Sequence, residues 1–270
     1  MAAADSAITD WPGRYRQLLA SAGLDAESVI GQALQPPDLE HPALLSLAQC
    51  LEQPERLQQQ LAQDYPDTTD ARALRAYASF IQQDLALSVI APLTLKLFRD
   101  GAATLPDANR IFLASARDGA ATPRWFHAPS QPALSVAEFV PQLSALVTAW
   151  YPAFRQGLGV SPGAYWSSIA LGLGAPFSAV WNLADAKGVC SLAQAWLAAF
   201  TCDAHRFMDW IPAEFSGHLC AIPQRKGCCL KYLLPEGGYC GTCGVYRKAR
   251  MAEASPQSRS QAPGQWLPAQ

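Results

Sequence analysis

The sequence predicts a mainly α-helical protein with a small β-hairpin or sheet, an α+β fold in which a helical domain precedes a small loop-rich module. Apolar residues recur at helical spacing over most of the chain, and capping residues and prolines mark the ends of segments. Between Arg110 and His127 the pattern changes to two β-like segments around the turn Arg117-Asp118-Gly119. From Gly217 onward glycine, cysteine, lysine and arginine dominate without periodicity, which indicates the module.

Composition limits the classes of protein to consider. The chain has 270 residues, half of them hydrophobic, so it is too apolar for a disordered protein and long enough for a sizeable core. A net charge of -2 argues against a surface built throughout for nucleic acid or anionic membrane. The N-terminus lacks the apolar segment of a secretory signal, which predicts a reducing cytoplasmic location. The eight cysteines are therefore predicted to be thiols or metal ligands.

Helical segments are predicted along most of the chain. Pro92 lies inside the longest segment, and because proline removes a backbone donor and clashes with the preceding turn, a kink is predicted near Ile90. Asp25, Ser135 and Ser161 are predicted N-caps. The predicted segments run from Arg14 to Ala22, Ala26 to Leu34, Ala43 to Leu51, Pro54 to Gln63, Asp70 to Phe98, Phe139 to Trp150, and Ser191 to Phe207, with a further start at Ser161-Pro162.

Three parts of the chain are predicted from these patterns. Residues 1–216 form a mostly helical domain, and residues 217–250 form the C-terminal module. Residues 251–270 are rich in serine, glutamine, alanine and proline, a composition typical of a disordered tail.

Four cysteines in the module have the spacing of a metal site. Cys228 and Cys229 are adjacent, ten residues follow, and Cys240 and Cys243 are separated by two residues. Four thiolates match the ligand number of either a 2Fe-2S cluster or an all-cysteine zinc site. The second pair resembles a zinc knuckle, but adjacent side chains tend to diverge, and this favours a cluster with two metal ions. A structural zinc ion and incidental cysteines remain the alternatives.

The pattern Cys-Cys-x10-Cys-x2-Cys after a mostly helical domain resembles the FhuF-like family of siderophore-iron reductases. The resemblance implies that Cys228, Cys229, Cys240 and Cys243 hold a 2Fe-2S cluster. It also implies one-electron reduction of a ferric siderophore of the hydroxamate or a related type in the cytoplasm. Ferrous iron is then released, because siderophores bind it far more weakly.

Basic residues around the cysteines are candidates for docking a substrate or partner. Nearby cations favour the more negative, reduced state of a cluster, and they also attract an acidic donor protein or an anionic siderophore. A merely solvated set of charges is the alternative. Tyr232, Tyr239 and Tyr246 lie between or beside the cysteines and are interpreted as core of the module, with shielding of a cluster or lining of a siderophore groove as the alternative. The basic candidates are Arg225, Lys226, Lys231, Arg247 and Lys248.

A second, weaker docking candidate is Arg124-Trp125 on the predicted hairpin, which offers charge and stacking for an oxygen-rich ligand.

Electrons are predicted to come from a partner protein, such as a ferredoxin or a flavin reductase, because the chain has no nucleotide-binding fingerprint. No catalytic side chain is expected beyond the cluster, and no nucleic-acid partner is expected. Peripheral association with the inner face of the cytoplasmic membrane is left open. Two other functions remain: a zinc-stapled binding module, and a siderophore-binding or siderophore-assembly protein with a purely structural cluster.

Overall fold

Helices dominate the computed structural model, and its strands are short and antiparallel, which confirms the predicted mainly α fold with a small β part. The structure describes residues 10–34, 43–66, 68, 70–114, 124–128, 132–215, 217–234 and 237–244. The α-helices are α1 (Trp11–Ala20), α2 (Ala26–Ala33), α3 (Leu47–Glu52), α4 (Pro54–Asp64), α5 (Ala71–Leu85), α6 (Ala91–Asp100), α7 (Val136–Pro152), α8 (Pro162–Leu173), α9 (Ala175–Ser178) and α10 (Ala186–Ala198). The strands are β1 (Ala43–Ser46), β2 (Ala102–Ala103), β3 (Ile111–Ala114), β4 (Arg124–His127), β5 (Leu134–Ser135), β6 (Met208–Phe215) and β7 (His218–Arg225).

The three predicted N-caps are confirmed. The Asp25 carboxylate accepts the backbone N–H of Ser28 at 2.8 Å and begins α2. Ser135 and Glu138 form a capping box at the start of α7. The Ser161 hydroxyl accepts the N–H of Ala164 at 3.1 Å, and proline follows in the first turn of α8.

The predicted return strand is confirmed, since β4 pairs with β3 and places Ile111 opposite His127. The turn predicted at 117–119 lies outside the described residues. The predicted helix from Ala43 is wrong in its first turn, because Ala43–Ser46 is a strand that pairs with β3. Ser46 explains the change, since its capping box with Gln49 starts α3 only at Leu47.

The prediction of irregular loop from Gly217 is wrong up to Arg225. β6 and β7 form a regular antiparallel hairpin in which Met208 faces Arg225 and Phe215 faces His218. The strands pack on α10, and this burial supplies the order that local sequence patterns did not indicate. The boundary predicted at 216/217 falls between β6 and β7, and the division into domains stays a prediction.

The helix predicted from Ser191 to Phe207 is displaced. It begins at Ala186, because the Asp185 carboxylate accepts the N–H of Gly188 at 2.7 Å, and it ends at Ala198. The residues Asp203–Phe207 form a separate 3-10 helix.

The longest helical run forms the centre of the core. Ala86–Ile90 is π-helical and joins α5 to α6, so the helical hydrogen-bond pattern changes near Ile90, and the predicted kink itself stays a prediction. Helix α8 crosses this segment closely, since a Cβ atom on Gly172 would lie 2.6 Å from the Ala86 carbonyl oxygen. In the described part of the chain, this run (Ala71–Asp100) alone is long and apolar enough to cross a membrane, yet 67% of its window is buried inside the fold.

Asp84 fastens the β3–β4 hairpin to α5. Its carboxylate accepts the backbone N–H of Trp125 at 2.8 Å, and the Trp125 indole donates to the carbonyl oxygen of Ile81 at 3.0 Å. Burial raises the pKa of Asp84 even though Arg124 lies 3.4 Å away, because the Arg124 side chain is 74% exposed and its charge is screened. The folded protein therefore holds a proton on Asp84 more readily than the unfolded chain does.

We expect Asp84→Asn to change how stability depends on pH. A raised carboxyl pKa means that the folded state binds more protons, so this contribution to stability is present in acid and is lost as pH rises from about 4 through the folded pKa. The free energy of unfolding of wild type, measured relative to Asp84→Asn, should fall over that window in urea titrations.

Asp25→Asn is the matched control, because the pKa of Asp25 is shifted in the opposite direction to that of Asp84. The hydrogen bond from the Ser28 hydroxyl lowers the pKa of Asp25, so its contribution is present above the unfolded pKa and is lost in acid. Identical pH profiles for wild type and Asp84→Asn would contradict the role given to Asp84.

Candidate metal centre

The first cysteine pair follows directly on strand β7. After Cys228 and Cys229 the chain bends at Leu230, which has φ +60°, the single positive φ among the described non-glycine residues. This left-handed conformation is uncommon for leucine and is found mostly where surrounding structure imposes it. In this conformation the Leu230 N–H donates a hydrogen bond to the Cys228 sulfur at 3.4 Å. The bend therefore places a backbone donor beside one of the candidate ligands.

The second cysteine pair is docked beside the end of β7. The N–H of Cys243 donates to the carbonyl oxygen of Cys240 at 2.9 Å and closes a tight turn. The N–H of Arg225 donates to the carbonyl oxygen of Thr242, also at 2.9 Å, and Arg225 and Cys243 form a parallel bridge. The end of β7 therefore contacts the second cysteine pair through its backbone, and the chain continues from it to the first pair.

The structure places two of the four predicted cysteines in contact. The Cys229 and Cys240 sulfurs lie 3.7 Å apart. Cys229 and Cys243 are buried, whereas Cys228 and Cys240 are half-buried. The Cys229 and Cys240 thiols are hydrogen-bonded to each other, and this contact lowers the pKa of Cys229 and raises that of Cys240. Burial raises the pKa of Cys228, and the charges of Cys229 and Cys243 raise it further.

The chemistry of this donor set fits a thiolate-bound group, since four thiols lie on one short segment and two of their sulfurs are in contact. In the residues that the structure describes, no set of three or more histidine, cysteine or acidic side chains is arranged to hold a metal ion as it stands. The assignment of all four cysteines as ligands therefore stays a prediction.

The segment that follows β7 and carries the four cysteines, residues 226–243, is called the cysteine loop. Two glycines allow this loop to dock on the helical part of the protein. Gly227, just before the first pair, lies against Gly163 in the first turn of α8. A Cβ atom on Gly227 would stand 2.1 Å from the Gly163 carbonyl carbon, far inside van der Waals contact. The two backbones can approach this closely because neither residue has a side chain.

The Arg225 side chain connects the start of the cysteine loop to helices α5 and α8. Its side chain is 2% exposed. The guanidinium donates to the hydroxyls of Ser167 and Ser168, both at 2.8 Å, to the carbonyl oxygen of Ala164 at 3.1 Å, and to the amide oxygen of Gln83. All four acceptors are neutral groups on α5 and α8.

Two predicted docking residues are wrong. Arg225 is buried among these acceptors, because the strand pairing of β7 turns its side chain inward. Trp125 is also 2% exposed, and its indole bonds to α5, so it offers no surface for stacking.

The other docking candidates lie at the surface. Arg124 is exposed. Lys226 forms an ion pair with Asp209 at 2.8 Å, and the Lys231 ammonium lies 5.9 Å from the centre of the Phe80 ring. Their role in docking stays a prediction. Arg247 and Lys248 lie outside the described residues.

An exposed tyrosine pair beside the cysteines was interpreted wrongly from the sequence. Tyr232 and Tyr239 are 38% and 54% exposed, and their rings stack with centroids 5.6 Å apart. Arg72 at the start of α5 donates to the Tyr232 hydroxyl at 3.0 Å. Tyr246 lies outside the described residues. The position of both tyrosines between the cysteine pairs was the available signal, but it did not reveal exposure or the contribution of Arg72.

Residues 225–243 match the FhuF 2Fe-2S C-terminal domain. The match supports a FhuF-like family. It begins at Arg225 and ends at Cys243, so it spans the buried guanidinium and both cysteine pairs. The domain's name indicates a 2Fe-2S group, and the FhuF-like family implies redox activity in general. No curated protein and no solved structure matches the chain.

We expect Gly227→Ala to loosen the cysteine loop. The added methyl group meets the Gly163 backbone, which cannot rotate away, and overpacking of this kind costs about 1–3 kcal/mol. Opening of the loop should then expose Cys229 about tenfold more often, since tenfold corresponds to about 1.4 kcal/mol. The rate of thiol labelling in metal-free protein measures this.

Gly31→Ala is the control, because a Cβ atom there meets no atom within 4 Å and α2 is a helix that alanine favours. Equal labelling rates in the two variants would show that the contact between the two glycines does not hold the loop.

Proposed function

We propose that the protein is a siderophore-iron reductase that transfers one electron from a 2Fe-2S cluster on Cys228, Cys229, Cys240 and Cys243 to a ferric siderophore, releasing ferrous iron. The observation that carries the proposal is the coincidence of the FhuF 2Fe-2S match with the cysteine pairs gathered above the buried Arg225. The cluster, when bound, supplies a one-electron redox couple. The fold supplies its position, its electrostatic surroundings and access for the substrate.

The protein backbone contributes to the site beyond the sulfurs. The Leu230 N–H already points at the Cys228 sulfur, and the Thr242 hydroxyl lies 3.9 Å from the Cys240 sulfur. Donors of this kind stabilise negative charge on sulfur and thereby tune a bound cluster. Half-burial of Cys228 and Cys240 leaves one side of the site near solvent, where a large chelate has access.

The Tyr232–Tyr239 stack is the proposed contact surface for the siderophore. Exposed aromatic faces next to the Arg72 guanidinium suit an oxygen-rich chelate of hydroxamate or related type, which offers both flat apolar faces and hydrogen-bond acceptors. This surface lies in the same loop as the cysteines, so a bound chelate comes close to the sulfurs.

The electron donor is proposed to be a ferredoxin or a flavin reductase, and the site of action the cytoplasm, including the inner face of its membrane. The absence of a nucleotide-binding fingerprint in the sequence supports a protein donor.

The reaction itself is testable without the natural donor. We expect anaerobically purified protein to be red-brown, to bleach with dithionite, and to regain its colour when a ferric hydroxamate siderophore is added, with one ferrous ion trapped by a chelator per cluster. The gallium complex of the same siderophore is the control, because Ga³⁺ has the same ligand preference and cannot accept the electron.

Two results would overturn the proposal. A colourless protein containing only zinc would indicate a stapled binding module. A cluster that bleaches but is not reoxidised by the ferric complex would indicate a structural cluster.

The ligand set has its own test. We expect Cys229→Ser to lose most of its iron and acid-labile sulfide, because the variant removes a thiolate that touches Cys240. Cys220→Ser is the matched control: Cys220 is also buried and lies on β7, but it falls outside the ligand spacing. Iron analysis of both variants decides the matter, and equal iron loss in the two would refute the assignment.

A further inference from the structure

Arg225 presents a charge that the described protein does not neutralise. Its guanidinium is buried and makes four hydrogen bonds, all to neutral oxygen atoms. Within the described ranges, no carboxylate forms an ion pair with it. These hydrogen bonds engage four of the five N–H donors but leave the positive charge uncompensated, and a buried charge without a counter-charge is strongly unfavourable.

The second cysteine pair lies beside Arg225 along the backbone. Arg225 and Cys243 are bridged through the backbone, and Arg225 holds the Thr242 carbonyl between the last two cysteines. Cys228 follows Arg225 by three residues in the chain, so both cysteine pairs are connected through the backbone to the residue that carries the guanidinium. Four thiolates around two ferric ions and two sulfides carry a charge of about −2, and about −3 after reduction.

We propose that Arg225 is the fixed counter-charge of the cysteine-bound cluster, a positioning residue that stabilises the reduced state from beneath. The proposal rests on the 2Fe-2S cluster of the proposed function. Ser167, Ser168 and Gln83 hold the guanidinium in one place, so its charge is preorganised before the electron arrives. Because the surroundings are dry, the same charge acts more strongly than a solvated lysine does.

Lys226 supplies the natural comparison. It is the next residue in the chain and carries the same charge, but its side chain is 46% exposed and paired with Asp209. Solvent and the carboxylate both screen it, so its effect on the cluster should be small.

The test is the midpoint potential of the cluster, measured by anaerobic dye titration with visible absorption as the signal. Arg225→Gln keeps hydrogen-bonding capacity and removes the charge, so we expect the midpoint potential to fall. The expected fall is at least about 59 mV, which for one electron corresponds to a tenfold change in the reduction equilibrium constant. Arg225→Lys should recover most of this shift, and Lys226→Gln should leave the potential close to that of wild type. A wild-type potential in iron-loaded Arg225→Gln, or an equal shift in Lys226→Gln, would overturn the proposal.

Ser168→Ala separates charge from packing, since it removes one neutral acceptor and keeps the guanidinium. It should shift the potential far less than Arg225→Gln does, and an equal shift would show that packing alone sets the potential.

A second measurement applies if Arg225→Gln does not retain the cluster. Metal-free full-length protein is titrated with Co²⁺, whose thiolate absorption reports binding and whose four-thiolate complex is likewise an anion. Arg225→Gln should bind Co²⁺ at least tenfold more weakly than Lys226→Gln, and equal affinities would refute the counter-charge. These measurements involve no siderophore, so a failure of siderophore reduction and a failure of the Arg225 proposal are distinguished.

Discussion

The site depends on the contact between the cysteine loop and helix α8. Gly227 and Gly163 meet backbone to backbone, and Arg225, two residues earlier, reaches into the same helix through its guanidinium. A loop of this length with few apolar side chains has little core of its own, so its order comes from what it docks against. The helical part of the protein is therefore the support that holds the cysteine pairs in place.

The same contact determines the electrostatics of the site. A guanidinium that donates to serine hydroxyls and a carbonyl group remains a full positive charge, whereas one paired with a carboxylate would present almost none to its surroundings. Lys226 has its carboxylate partner, Asp209, at the surface, whereas the buried Arg225 is hydrogen-bonded to neutral groups. Helices α5 and α8 thus supply the neutral hydrogen-bond acceptors that hold the Arg225 guanidinium.

The exposed part of the cysteine loop has a different character. Tyr232 and Tyr239 are exposed there, and Arg72 extends from α5 to meet them. The loop consequently has the buried Arg225 guanidinium on one side and the exposed rings of Tyr232 and Tyr239 on its surface. This division suits a centre that must hold an anionic group firmly and still exchange electrons with a bulky molecule.

The sequence by itself determined the mainly helical fold, the caps at Asp25, Ser135 and Ser161, and the candidate cysteines, because these depend on local spacing and on residue chemistry that neighbours cannot hide. It did not determine the β6–β7 hairpin, whose order comes from packing on α10, or the fates of Arg225 and Tyr232, which local pattern assigned to the surface and to the core respectively. Only the tertiary structure decided these, because burial is a property of what lies opposite a side chain, and residues such as Ser167, Gln83 and Arg72 come from segments far away in the chain.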